Sequence, residues 1–403
     1  MSTIRVNAIQ NTTTTDGGIS INNSGHVTVD GVAMPSTGPL SNRNLIINGA
    51  MQVAQRGTSS TSTEFQTVDR FKASTNGGTT TQSQETLSSG DPYDAGFRNF
   101  YRITNTTTGT DAAHYKLITH FIEAQNLANS GWNYSSATSN VTLSFWARAS
   151  VGQDYTFYFR TDDGTAQAYS FNFTLAANTW TKVTHVVPGA SAVVFNNDNG
   201  KGLQMTWAAW LGSNYIDSGH TNEAWAAVSA TSISNVSTTT WGSTTDATFD
   251  VTGVQLEVGS VATPFEHRSY GDELARCQRY FQGYNAQDAT ARAAISYTNY
   301  DADGQDNLQT TTLIGVGTCT DADDARIVAS FPVAMRTRPT VTVSDVRLMT
   351  GLTLHNSTTI IDDNQSSIYG LSLLVDNTGG MSTADCAHLI IKGNGYVFMN
   401  AEL

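Results

Sequence analysis

Apolar and polar residues alternate through most of the chain, and from Tyr270 the alternation gives way to a helical spacing. In FDVTGVQLEV at 249–258, Phe249, Val251, Val254, Leu256 and Val258 keep close to period 2, with one slip at Thr252-Gly253 that predicts a β-bulge. Further strand-length runs are VTLSFWARA from Val141, YTFYFRT from Tyr155, YSFNFTL from Tyr169, WTKVTHVV from Trp180 and LQMTWAAWL from Leu203. Many short strands separated by Gly, Asn, Asp and Ser predict a sandwich. Pro264 ends the last of these strands, because proline donates no hydrogen bond. Leu274, Cys277 and Phe281 then fall three and four apart, with Asp272 and Glu273 in the first turn and Arg276 and Arg279 later, the sign order a helix dipole favours. The runs LQTTTLIGVG, DDARIVASFPVAM, RPTVTVSDVRLM, SSIYGLSLLV and AHLIIKGNGYVFMNAEL predict a second, smaller β-sandwich.

The expected fold is therefore all-β, in four parts: an N-terminal β arm at 1–40, a sandwich at 44–268, a hinge helix at 269–282 and a C-terminal sandwich at 283–403. In the arm, STIRVNAIQ and GGISINNSGHVTVDGVAMP alternate around the turn 22–25, but so few apolar residues cannot bury a core alone. The arm needs partners or frays as a leader. A turn-rich linker follows at 36–41.

Length and composition narrow the function. A chain of 403 residues exceeds one ordinary sandwich, and its 14% charged residues fall well below the usual quarter. Apolar residues at 39% in strand-length runs argue against disorder. The net charge of -13 with no Lys/Arg block excludes a nucleic-acid groove. No run has the length of a membrane span, and residues 1–20 show no basic-then-apolar leader, so a soluble protein without membrane insertion is expected. Cys277, Cys319 and Cys386 lack CxxC spacing and are expected as thiols of a chain folded in a reducing cytoplasm, with a Cys319–Cys386 bridge as the alternative.

The run VTGVQLEVGSVATPFEHRSYGDELARCQRYF resembles a segment of bacteriophage tail-fibre and tail-tip proteins. NLIINGAM at 44–51, WTKVTHVVPG at 180–189 and FPVAMRTRPTVTVSD at 331–345 follow the order of that family. The resemblance implies a jelly-roll module like those of carbohydrate-binding proteins, then a receptor-facing tip domain. It also implies an N-terminal arm that attaches to a tail or adaptor protein, a homotrimer, a place on the virion for a chain folded in the host cytoplasm, and adsorption to bacterial surface polysaccharide or lipopolysaccharide. A head or tail decoration fibre with a purely structural role and a polysaccharide-cleaving tailspike are the alternatives.

Alternation puts Val141, Leu143 and Phe145 on one face of their strand and Trp146 and Arg148 on the other; on the next strand Tyr155, Phe157 and Phe159 oppose Tyr158 and Arg160. Trp146, Arg148, Tyr158, Arg160 and, through the alternation at 203–211, Trp210 are thus candidate glycan-binding residues. Aromatic rings cover the C–H face of a pyranose and guanidinium donors reach hydroxyls or sugar carboxylates. The same rings serve equally as packing, the role expected of Trp180 and Trp207.

No enzyme is expected. Asp162-Asp163 and residues 321–324 read as turns rather than as the carboxylate pair of a glycosidase, and no HExxH, GxSxG or P-loop pattern occurs. The long parallel β-helix repeats of depolymerase fibres are not visible. Asn48, Asp250 and Glu257 offer calcium-type oxygens, yet no dedicated loop accompanies them, so no metal ligand and no cofactor is assigned. Tyr270, Leu274, Cys277 and Phe281 form the candidate oligomer interface, one apolar stripe suited to packing round a symmetry axis. Polar loops at 297–306 and 355–365 are expected on the tip domain.

Overall fold

A computed structural model describes residues 8–10, 18–22, 25–34, 41–229, 233–236, 239–285, 312–350, 353–362, 365–377 and 379–403. Residues 36–40 of the expected linker and the expected loop at 297–306 lie outside them. The structure is nearly all β, as expected. It divides into two compact units, Met1–Glu273 with Leu403, and Leu274–Glu402.

The first unit opens with four short antiparallel strands, Ala8–Gln10, Gly18–Ile21, Val27–Val29 and Val32–Ala33. Ile19, Ile21, Val29 and Val32 stay exposed on this arm, which is what so small a sheet must leave uncovered. The sandwich follows. Its long strands are β1 (Phe71–Asn76), β2 (Thr79–Thr86), β3 (Asn99–Thr107), β4 (Tyr115–Glu123) and β5 (Asn140–Ala149). They continue with β6 (Gln153–Thr161), β7 (Gln167–Leu175), β8 (Thr181–Pro188), β9 (Lys201–Leu211) and β10 (Thr248–Val258). Sheet one runs β8-β5-β10-β3-β2 and ends on Ser59–Ser60; sheet two runs β7-β6-β9-β4-β1 with Ala226–Ala227 outside β7. The chain passes back and forth between the sheets, so most neighbours are distant in sequence, the winding of a jelly roll.

Between the sheets lies one aromatic core. Val141, Leu143 and Phe145 face Tyr155, Phe157 and Phe159, with Trp207 edge-on to both Phe145 (5.6 Å) and Phe157 (5.0 Å). The bulge predicted in β10 is present. Ser144 and Trp146 face Gln255 and Thr252, so Gly253 and Val254 are accommodated across a register shift, and Gly253 takes φ 62°. That slip lets Val251 and Val254 both reach the core. Helix α1 (Thr239–Ser243) places Trp241 in the same core, and the Trp241 indole N–H donates to the Thr248 carbonyl.

Helix α2 spans Tyr270–Gln278, and the division between the two units falls inside it. Ser269 caps it, bonding the Asp272 backbone N–H and carboxylate. The expected interface stripe is largely used within the chain. Cys277 and Phe281 are buried, Leu274 is half-buried, and only Tyr270, 57% exposed, faces solvent. Phe281 has left the helix for β11 (Phe281–Asn285), where its ring meets Phe398 at 5.2 Å.

The second unit adds β12 (Thr312–Cys319), β13 (Asp324–Ser330), β14 (Thr340–Thr350), β15 (Thr353–Asp362), β16 (Gly370–Asn377) and β17 (Cys386–Asn400). One antiparallel sheet runs β11-β17-β12-β13-β16-β15-β14, and β17 also pairs with β14. The layered core expected here, with Ile327, Leu373, Leu389 and Met399, is thus made by a sheet curling round to meet itself. Most of the loop expected at 355–365 is strand β15 instead, with Ile360 packed against the core. The Asp321 carboxylate accepts the backbone N–H of Asp323 and Asp324, the turn role expected of that cluster. All three cysteines are thiols, with Cys319 buried and Cys386 exposed. No helix among the described residues is long and apolar enough to cross a membrane.

Candidate functional site

Trp146 and Arg148 lie on the outer face of sheet one, Tyr158 and Arg160 on that of sheet two, so the core separates the two pairs. They cannot form a single surface.

On sheet one the aromatic and arginine side chains have satisfied one another. Asp250, fully buried, accepts Arg102 through Nε (2.7 Å) and Nη2 (2.9 Å) and Arg148 through Nε (2.9 Å). The Asp250 hydrogen bond is the main reason the Arg102 guanidinium is held above its ordinary pKa. The Arg148 guanidinium lies 4.6 Å from the Trp180 ring and 5.3 Å from Phe100. Trp180 therefore sits half-buried in this outer cluster and not in the core, while Trp207 is in the core as expected. Trp146 packs near Gly253 and Phe97 and lines a groove of about 520 Å³ together with Phe265, His267, Lys182 and Val32 of the arm. Its ring is half-buried there.

Trp210 is in the core. The register of β9 on β4 shifts between Ala208 and Trp210, so the alternation through Gln204, Thr206 and Ala208 breaks before it, and Trp210 packs against Gly242 of α1. The calcium-type oxygens are also spent locally. Asn48 Oδ1 accepts the Val53 N–H (3.0 Å), and Glu257 accepts the Thr263 N–H (2.8 Å), the Thr263 hydroxyl (2.6 Å) and the Gln255 amide (2.9 Å). No metal-holding cluster of His, Cys, Asp and Glu occurs among the described residues.

Sheet two carries a pocket. Register sets its floor in two rows: Ala168, Arg160 and Gln204 lie side by side across β7, β6 and β9, and Ser170, Tyr158 and Thr206 form the next row on the same face. The connection after β9 crosses above this floor. It is pinned by the Glu223 N–H on the Ser170 carbonyl (2.7 Å), the Asp217 N–H on the Ser234 carbonyl (2.9 Å), and Ala226–Ala227 paired with β7. The Ser234 hydroxyl also reaches the Thr156 hydroxyl at 2.6 Å. Floor and cover line a space of about 240 Å³, to which the connection contributes Tyr215, His220, Val228 and Ile233. Such a volume suits one sugar ring, being just below the range of about 300–1,000 Å³ usual for drug-sized ligands.

The polar groups of the pocket are held in place. The Ser170 hydroxyl meets His220 Nε2 at 2.7 Å, and burial keeps the imidazole pKa below its ordinary value, so His220 is neutral near pH 7. Burial raises the Tyr158 hydroxyl pKa against the opposing effect of the Thr206 and Gln204 hydrogen bonds. Gln204 donates to Thr206 at 3.0 Å and Tyr215 donates to the Ala113 carbonyl at 3.1 Å. Arg160 stands at the rim, its side chain 44% exposed and its Nε 3.8 Å from Asp162. Tyr158 and Arg160 are thus brought together as expected from period 2. Ser170, Tyr215 and His220 were missed, although the long strand-poor stretch between Leu211 and Thr248 is the kind of connection that carries sites.

No protein-family model and no curated protein matches the chain. Among solved structures it is similar to the enzymatically active domain of tailspike protein 4 of bacteriophage CBA120, at 11% identity over 53% of this chain and 21% of that one, TM-score 0.29. It is also similar to a family 11 carbohydrate-binding module of Clostridium thermocellum in complex with a β-1,3-1,4-mixed-linked tetrasaccharide, at 10% identity over 52% and 98%, TM-score 0.25. A family 16 carbohydrate-binding module matches at 11% identity over 53% and 99%, TM-score 0.25. The chain spans about a fifth of the tailspike's length, and scores this low carry no inference about function.

Proposed function

We propose that this chain is a bacteriophage tail-fibre protein, a non-catalytic virion component that binds bacterial surface glycans through the pocket on sheet two. The observation that supports glycan binding is the two-row floor of Tyr158, Arg160, Ser170 and Gln204 under Tyr215 and His220, a ring-sized space with fixed hydroxyl, amide and imidazole groups. The pocket lining holds no Asp or Glu among the described residues, so two-carboxylate hydrolysis has no acid and base there. The phage assignment is supported by the resemblance of residues 251–281 and the three accompanying motifs to tail-fibre proteins.

Assembly as a homotrimer joined to the tail or an adaptor through the arm belongs to the same proposal. It is supported by the exposed Ile19, Ile21, Val29 and Val32 on a sheet that cannot bury them. Linking several weak sugar sites raises avidity by about two to four orders of magnitude.

An array of bacterial polysaccharides probed with the full chain tests the site. Binding is expected, with loss in Tyr215→Ala and Gln204→Ala and no change in Trp146→Ala on the opposite sheet. Loss in Trp146→Ala alone would move the site to sheet one. Reducing ends released from a bound polysaccharide would establish cleavage instead.

A further inference from the structure

The rim of the pocket holds a feature that hydroxyl recognition does not need. Arg160 lies between Ala168 and Gln204 on the floor, and Asp162 is its ion-pair partner at 3.8 Å. The other Asp162 oxygen is 3.5 Å from Lys201 Nζ. A closed charge-assisted bond is about 2.7–2.9 Å long, so both contacts are loose and one carboxylate is divided between two cations. The Arg160 fork keeps its donors open to the pocket mouth. We propose, resting on the glycan reading above, that the sugar held here is acidic and that Arg160 takes its carboxylate.

Three further observations agree. The lining itself holds no Asp or Glu among the described residues, and the nearby Asp162 is shared with Lys201. Ser170, Gln204 and the neutral His220 supply uncharged partners for ring hydroxyls, leaving the acid group to Arg160, the one cation in the lining among the described residues. A planar guanidinium matches a carboxylate through two parallel N–H···O bonds, and such bonds are roughly twice as strong as neutral ones. Val228 and Ile233 give the lining apolar surface for the C–H face of such a ring.

The test is saturation-transfer NMR on the full-length protein with galacturonate, glucuronate and N-acetylneuraminate, each set against galactose, glucose and N-acetylglucosamine. At least one acid is expected to bind ten-fold or more above every neutral sugar. That signal should disappear in Arg160→Gln, persist in part in Arg160→Lys, and weaken as salt rises. Intrinsic tryptophan fluorescence of each variant confirms that the sandwich is folded. Neutral sugars binding as well as the acids, with signal lost in Tyr215→Ala but not in Arg160→Gln, would overturn the acidic assignment and leave glycan binding intact. No signal from any of the six sugars would overturn both.

Discussion

Lys116 sits fully buried on β4, where its ammonium donates to Asn105 Oδ1 (2.6 Å) and to the Thr107 carbonyl (3.0 Å). Burial pushes its pKa from the usual 10.5 to about 8. At 1.36 kcal/mol per pH unit, the charged lysine costs the fold about 3 kcal/mol at neutral pH. The unfolded chain keeps that proton until about pH 10.4, whereas the folded chain releases it near 8. Between these values the unfolded state binds more protons, so stability rises with pH, and below 8 the full penalty stands. Above about pH 10 the trend reverses. Burial raises the Tyr101, Tyr155 and Tyr169 hydroxyls, so the folded state then holds protons the unfolded chain has lost. Urea melts at pH 7, 8, 9, 10 and 11 should show stability climbing toward a maximum near 10 and then falling. All seven tryptophans lie between Trp132 and Trp241, so their fluorescence reports the first unit alone. In Lys116→Met the climb between 8 and 10 should vanish while the fall above 10 remains. Parallel wild-type and variant curves across pH 8–10 would refute the reasoning.

Other outcomes follow from single contacts. Asp250→Asn leaves Arg102 and Arg148 without their shared anion and should cost about 3–5 kcal/mol, measured by denaturant melts. Gly253→Ala forces a side chain into the left-handed region with its Cβ 2.7 Å from the Phe97 ring, for a loss of about 1–3 kcal/mol in the same melts. Deleting residues 1–40 should reduce the homotrimer proposed above to monomers in sedimentation velocity. Leu274→Asp should leave it intact, because the stripe it belongs to is mostly consumed within the chain.

Period 2 was enough to find the strands and their inner faces, since a half-buried strand must alternate. Val141, Leu143 and Phe145 and their counterparts on β6 lie where alternation put them. Even the β10 bulge was readable, because the slip at Gly253 moved the apolar period by one. What alternation leaves open is which sheet a strand joins. Trp146 and Tyr158 both point outward, but from opposite sheets, a matter of pairing between residues far apart in sequence. Trp210 shows the opposite difficulty. Its bulge at Ala208 interrupts no apolar period, since Ala208, Ala209 and Trp210 all tolerate burial, and only the paired strand reveals it. The cover of the pocket was hidden for a simpler reason: His220 reaches Ser170 across a loop whose path no periodicity specifies.

The long strand β17 has a bearing on how the chain is made. It pairs with β11 and β12 along one edge and β14 along the other, so the sheet of the second unit stays open until residues 386–400 have left the ribosome. Until then β11, β12 and β14 carry unpaired backbone groups that any passing strand can satisfy. Nascent chains on one polysome expose these edges side by side, so strand exchange between them competes with self-closure. The balance should be set by elongation rate and temperature during synthesis rather than by the stability of the finished protein.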